Sequence, residues 1–144
     1  TWVHFRDLKT NKEFYFWNTH FDHRSQPSRE KSAHLINQRV ASLKTKLPVI
    51  LTGDFNAIAQ SNKAYHTLTK DGGFQDSFTT AQEKINAGWN TFNSFQKTNQ
   101  GKRRIDWVLT KGPLKVTRTE IVLFDETKQL PSDHQPVTAI IRIQ

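Results

Sequence analysis

The chain of 144 residues is the size of one domain, and its 35% hydrophobic and 24% charged content is lean for a chain building its own core. Without cysteine it has no disulfide framework and no thiolate zinc site, and no apolar run reaches the length of a transmembrane segment or leads the chain as a signal would. Its 21 Lys and Arg against 13 Asp and Glu leave a formal charge of +8, which suits nucleic acid, phosphorylated small molecules or an acidic lipid surface without choosing among them.

The chain does not begin with methionine and opens directly in a strand pattern, as a fragment or processed chain would. Residues 2–8 and 13–18 are aromatic-rich strand candidates, and Asn11 between them supplies the turn chemistry of a β-hairpin. Residues 21–27 read as a polar loop carrying Asp22, His23 and Arg24. Pro27 and Ser28 open a helix expected to run to about Lys46, with Ser28 as its N-cap. Along it Ala33, Ile36, Val40, Leu43 and Leu47 recur at spacings of three and four, so one face lies on a sheet. Val49, Ile50 and Leu51 then form a short apolar run, read as a strand buried on both faces. Strand, helix and strand together predict an α/β arrangement.

A shorter helix is expected over 61–70, closed by Gly72 and Gly73. A turn of helix is expected around 82–86, a short strand over 89–95, and a polar basic loop over 97–104 that includes Lys102, Arg103 and Arg104. Residues 105–110, 116–124 and 137–143 read as strands rich in β-branched residues, and a loop bracketed by Pro131 and Pro136 joins the last two. There is no internal repeat and no linker.

Four strand candidates end in ionisable or amide side chains: Asn18-Thr19-His20, Gly53-Asp54-Phe55-Asn56, Arg104-Ile105-Asp106 and Ser132-Asp133-His134. If the extended chain persists through Phe55, Asp54 and Asn56 project to the same side. The same pair also serves, more plainly, as an Asx turn closing the strand. His20 alone reads as a half-buried strand histidine. Asp106, between Ile105 and Trp107, is costly to bury unless paired, and His134 is an available partner. Strand ends on one edge of a sheet are neighbours, so these segments can build one pocket. Its carboxylates, imidazoles and amide suit Mg²⁺ or Mn²⁺ with imidazole acid/base chemistry.

These segments, in this order, resemble the endonuclease/exonuclease/phosphatase superfamily typified by deoxyribonuclease I, and Trp89-Asn90-Thr91-Phe92 is similar to its Thr-Phe segment. The resemblance spans nearly the whole chain and implies the C-terminal half of a four-layer α/β/β/α sandwich, residues 1–144 being one part of the domain and the N-terminal half absent. That half would carry an Asn and a metal-binding Glu, and its absence predicts an exposed apolar sheet face. The implied activity is metal-dependent hydrolysis of a phosphodiester or phosphomonoester by in-line attack of water. Asp54 would orient or deprotonate the water, and Asn56 would hold the water or a phosphoryl oxygen. His134, oriented by Asp106, would act as acid/base or phosphate ligand, His20 would donate to a phosphoryl oxygen, and Asp54 with Asp133 would hold the metal. Whether Asp54 or His134 takes the proton stays open. His23, Arg24, Lys102, Arg103 and Arg104 could meet further phosphates of a polynucleotide, a phosphorylated sugar or a lipid headgroup, and Thr91 is a further candidate substrate contact, although the basic loop also reads as a solvated turn. The alternatives are a nuclease acting on DNA or RNA, and a half-domain that only binds anionic polymers through its charge.

Overall fold

β1 (Trp2–Arg6) and β2 (Glu13–His20) form the expected antiparallel hairpin in this computed structural model, which describes residues 1–96, 100–124 and 129–144. Asp7 closes the turn, its Oδ1 accepting from the backbone N–H groups of Lys9 (2.7 Å) and Thr10 (3.1 Å), while Asn11 takes a φ of 57°.

α1 spans Gln26–Ser42, starting and stopping earlier than its pattern predicts. The N-cap is Ser25, whose Oγ accepts from the N–H of Ser28 at 3.2 Å, and Pro27 occupies the first turn, where a missing N–H costs nothing. The helix ends because Lys44 turns left-handed at φ 47°. Ala33, Ile36 and Val40 form its buried stripe, and β3 (Val49–Asp54) returns parallel to β2, completing a strand–helix–strand unit.

α2 (Lys63–His66), capped by Asn62, widens into a π-helical turn at Thr67–Asp71 and stops at Gly72, with Gly73 at φ 69°. Next come three short elements that local pattern does not reveal: β4 (Gln75–Asp76), α3 (Ser77–Thr80) and β5 (Glu83–Ile85). The helical turn expected around 82–86 is therefore corrected to a strand, held by parallel pairing with a distant partner and lacking the apolar spacing that would anchor a helix. The strand expected over 89–95 is corrected too. Among the described residues Trp89 and Phe92 form isolated bridges, to Gln100 and His134, and Ser94 and Phe95 break the extended chain at φ 55° and 57°. Of the basic loop over 97–104, residues 97–99 lie outside the described residues.

β6 (Asp106–Lys111), β7 (Leu114–Ile121) and β8 (Val137–Ile143) follow. A five-stranded sheet runs β1-β2-β3-β6-β4, and a three-stranded sheet runs β5-β7-β8. The main core lies between the larger sheet and α1 and α2, where Phe55 stacks on Trp107 with ring centroids 4.2 Å apart. On its other side α3 contacts both β6 and β7, and the Ser77 and Thr119 hydroxyls meet at 3.2 Å. Trp2, Val3 and Phe5 of β1 and Ile140 of β8 are exposed apolar residues.

Candidate active site

Strand register assembles the site. His20 pairs with Asp54 across β2 and β3, and Asp54 pairs with Asp106 across β3 and β6, so the three stand in one row. The approach of β3 to β2 depends on Gly53, because a Cβ there would lie 1.9 Å from the Thr19 carbonyl oxygen. His20 Nε2 is 3.3 Å from Asp54 Oδ2.

The extended chain does not persist through Phe55, since Asn56 turns left-handed at φ 46°. An Asx turn forms instead, and it holds the carboxylate in place. The Asn56 backbone N–H donates to Asp54 Oδ1 (2.8 Å), and its Nδ2 donates to Asp54 Oδ2 (3.1 Å) and to the Phe21 carbonyl (3.0 Å). Asp54 thus faces several donors from one side.

His134 arrives on the loop before β8. Its backbone N–H donates to Ser132 Oγ at 3.0 Å, and the fully buried Asn93 ties down the same loop, donating from its N–H to the Asp133 carbonyl (2.7 Å) and from Nδ2 to the Ser132 carbonyl (3.2 Å). His134 Nδ1 meets the Asp106 carboxylate at 2.9 and 3.1 Å, which leaves Nε2 turned toward Asp54 Oδ2 at 3.9 Å. Burial raises the Asp106 carboxyl above its ordinary value, against hydrogen bonds from Thr91 and His134 that lower it. For His134 burial is also the largest influence and favours the neutral ring. The hydrogen bond to Asp106 and the charges of Asp106, Asp54 and Asp133 together outweigh it and raise the pKa.

Asp54, Asp106 and His134 each offer a ligand atom within 4.8 Å of the others. Asp133 is outside that set, and reaches the site through its charge on His134 and its carbonyl, held by Asn93 and Ser94. A cleft of about 350 Å³ opens beside the row, lined by Arg29, Asn56, Phe92, Arg103, Ile105 and His134 among others.

Two of the expected substrate contacts are buried and already partnered. Thr91 is fully buried, and its Oγ1 accepts the N–H groups of Ile105 (2.9 Å) and Asp106 (3.1 Å), so it positions Asp106. Arg104 is buried against Asp76, with NH2 at 2.7 Å from Oδ2, and its guanidinium lies over the Phe78 ring. His23 and Arg24 are exposed, Arg24 Nε donating to His23 Nε2 at 3.1 Å, and neither lines the cleft. Pattern reading gives no role to Arg29 or Asn93, while Arg103 of the basic loop and Phe92 of the Thr-Phe segment line the cleft.

The endonuclease/exonuclease/phosphatase family model matches residues 2–134. The chain belongs to this family. Its members are hydrolases acting on phosphate esters, and they use divalent metal ions. The fold is the deoxyribonuclease I-like fold of the family. A family protein from Bacteroides thetaiotaomicron is 31% identical with a TM-score of 0.89, covering 99% of this chain and 55% of that one. A mannosyl-6-phosphatase from Bacteroides thetaiotaomicron VPI-5482 is 31% identical with a TM-score of 0.88, covering 98% of this chain and 55% of that one. The human nocturnin catalytic domain, at 15% identity and a TM-score of 0.75 over 99% of this chain and 52% of that one, shares the fold. The chain thus spans little more than half the length of these family structures. No curated protein sequence matches it. Among the described residues no helix is long and apolar enough to cross a membrane.

Proposed function

We propose that the protein containing these residues is a divalent-metal-dependent phosphoesterase, hydrolysing a phosphomonoester or phosphodiester by in-line attack of water. The observation that carries this reading is the Asp106–His134 hydrogen bond aimed at Asp54, with His20 and Asn56 on the same carboxylate. Two carboxylates and an imidazole within 4.8 Å fit a hard divalent ion such as Mg²⁺ or Mn²⁺. Asp54 is the proposed central ligand, and Asp133, outside that trio, would add a carboxylate from the loop that carries His134. When bound, the ion supplies Lewis-acid polarisation of a phosphoryl oxygen.

The chain's own groups divide the remaining work. Asp106 fixes the His134 ring through Nδ1, so that Nε2 holds or moves a proton, or grips a phosphoryl oxygen, on the cleft side. Asn56 holds Asp54 in the orientation needed to receive a water. His20, with 73% of its side chain exposed, donates to a phosphoryl oxygen from the open side. A nuclease reading draws support from the +8 charge, which attracts a polyanion over a wide surface.

Turnover of bis(p-nitrophenyl) phosphate and p-nitrophenyl phosphate with Mg²⁺, Mn²⁺ or EDTA tests the proposal. Metal-dependent hydrolysis is expected, falling about 100-fold or more in His134→Ala. A folded protein that turns over neither ester, or whose His134→Ala variant matches wild type, would sink it.

A further inference from the structure

We propose that Asn93 is a positioning residue for the hydrolysis, a role that rests on the phosphoesterase reading: it sets the His134 ring against Asp106 and toward Asp54 without itself touching substrate. Asn93 is fully buried and does not line the cleft. Its polar groups are all engaged within the chain, half of them on the loop before β8. The N–H donates to the Asp133 carbonyl at 2.7 Å and Nδ2 to the Ser132 carbonyl at 3.2 Å, while Oδ1 accepts from Phe95 N–H at 2.7 Å and the Asn93 carbonyl from Gln96 N–H at 3.0 Å. Because Oδ1 must face a backbone N–H and Nδ2 a carbonyl, the amide has one orientation that satisfies both.

The Asp106–His134 pair needs such an anchor because its two members belong to different parts of the fold. Asp106 begins β6, which pairs along its whole length with β3 and so is set against Asp54 by the ladder. His134 stands before β8, a strand of the smaller sheet, and that ladder does not fix its distance from Asp106. Residues 91–94 span the gap. On one side Thr91 Oγ1 accepts the N–H groups of Ile105 and Asp106, at 2.9 and 3.1 Å. On the other the Thr91 carbonyl accepts from Gln135 N–H at 2.7 Å, Phe92 bridges to His134, and Asn93 and Ser94 both donate to the Asp133 carbonyl. Within this segment Asn93 grips the loop twice, at the two residues immediately before His134.

The backbone after Asn93 carries a second mark of the same role. Ser94 and Phe95 follow it in left-handed conformations, at φ 55° and 57°, which non-glycine residues keep only where their surroundings hold them. The Oδ1 contact to Phe95 N–H is an Asx turn that holds them, and the turn in its place brings Ser94 N–H to the Asp133 carbonyl at 3.2 Å. Misplacing a reacting group by about 1 Å can lower a rate about 100-fold. A residue that fixes the two carbonyls before His134 therefore acts on the reaction through the ring, not through the cleft.

The test is a double-mutant cycle with a spectroscopic arm. Turnover of the two nitrophenyl esters with Mg²⁺ is measured in wild type, Asn93→Leu, His134→Ala and the double variant, and NMR of the neutral His134 ring in the metal-free protein compares its Nδ1–H and Nε2–H tautomers. Asn93→Leu keeps the bulk and removes the side-chain hydrogen bonds. It is expected to lower kcat about tenfold or more with KM changed by less than about twofold, and to lose the excess of Nδ1–H tautomer that contact with Asp106 selects in wild type. Added to His134→Ala it is expected to cost less than about twofold more, because a residue acting through His134 then has nothing to act on. Equal losses in both backgrounds, a loss carried by KM, no Nδ1–H excess in wild type, or a tautomer balance unchanged by Asn93→Leu would each overturn the role. A wild type without turnover whose tautomer balance still shifts in Asn93→Leu would keep Asn93 as the anchor of the ring and sink the phosphoesterase reading. Turnover that needs His134 and is indifferent to Asn93 would do the reverse. Circular dichroism reports whether Asn93→Leu folds. Should it not, Asn93→Asp carries the same expectations, since it keeps the acceptor for Phe95 and turns an oxygen against the Ser132 carbonyl.

Discussion

At His134 two opposing effects meet on one ring. Burial penalises the imidazolium, while Asp106 at 2.9 Å and the charges of Asp54 and Asp133 favour it, and the balance lies above the ordinary value of 6.5. In the metal-free protein an NMR titration of His134 is therefore expected to have its midpoint above 6.5, and a lower midpoint in Asp106→Asn, because burial persists once the carboxylate is gone. A midpoint unchanged by Asp106→Asn would remove Asp106 as the group that orients the ring. The sign carries over to stability: a folded-state pKa raised above 6.5 means the contribution of the protonated ring is complete below pH 6.5 and is lost as pH rises through the folded value.

Among the elements, α1 separates two candidate caps by experiment. Ser25→Ala removes the acceptor for the Ser28 N–H and is expected to cost about 1 kcal/mol in denaturant unfolding, while Ser28→Ala, whose side chain caps nothing, is expected to cost only a few tenths. Equal losses would return the cap to Ser28. The three-residue error has a physical origin, since Pro27 fits any position of the first turn and serine caps only where its backbone is extended. β3 and β8 were legible because apolar and β-branched residues write their own burial pattern. β4, α3 and β5 were not, being two to four residues long and held by Asp76 and by pairing with β7. Of the site, the strand-end residues Asp54, Asp106 and His134 were readable as chemistry that strand interiors do not tolerate. The burial of Thr91 and Arg104 was not legible, because composition records their polarity but not their surroundings.

Across the whole molecule, Asp76 ties the segment before β6 to the ground between the two sheets. Its carboxylate takes Arg104, the Tyr65 hydroxyl at 3.1 Å and the Phe78 N–H at 2.9 Å, and the next residue, Ser77, meets Thr119 of the smaller sheet. Arg104→Ala would strand a buried carboxylate and is expected to cost about 3–5 kcal/mol in denaturant unfolding, with Arg104→Met and Asp76→Asn combined losing less than Arg104→Ala alone. If Arg104→Ala unfolds like wild type, the pair is ornamental to stability. The row of His20, Asp54 and Asp106 has another consequence, for the order of events as the chain folds. Local hydrogen bonds can build α1 early, but the row does not exist until three strands distant in sequence settle into register. A collapsed, helix-rich intermediate would be chemically silent, so recovered hydrolysis would time the last long-range pairing.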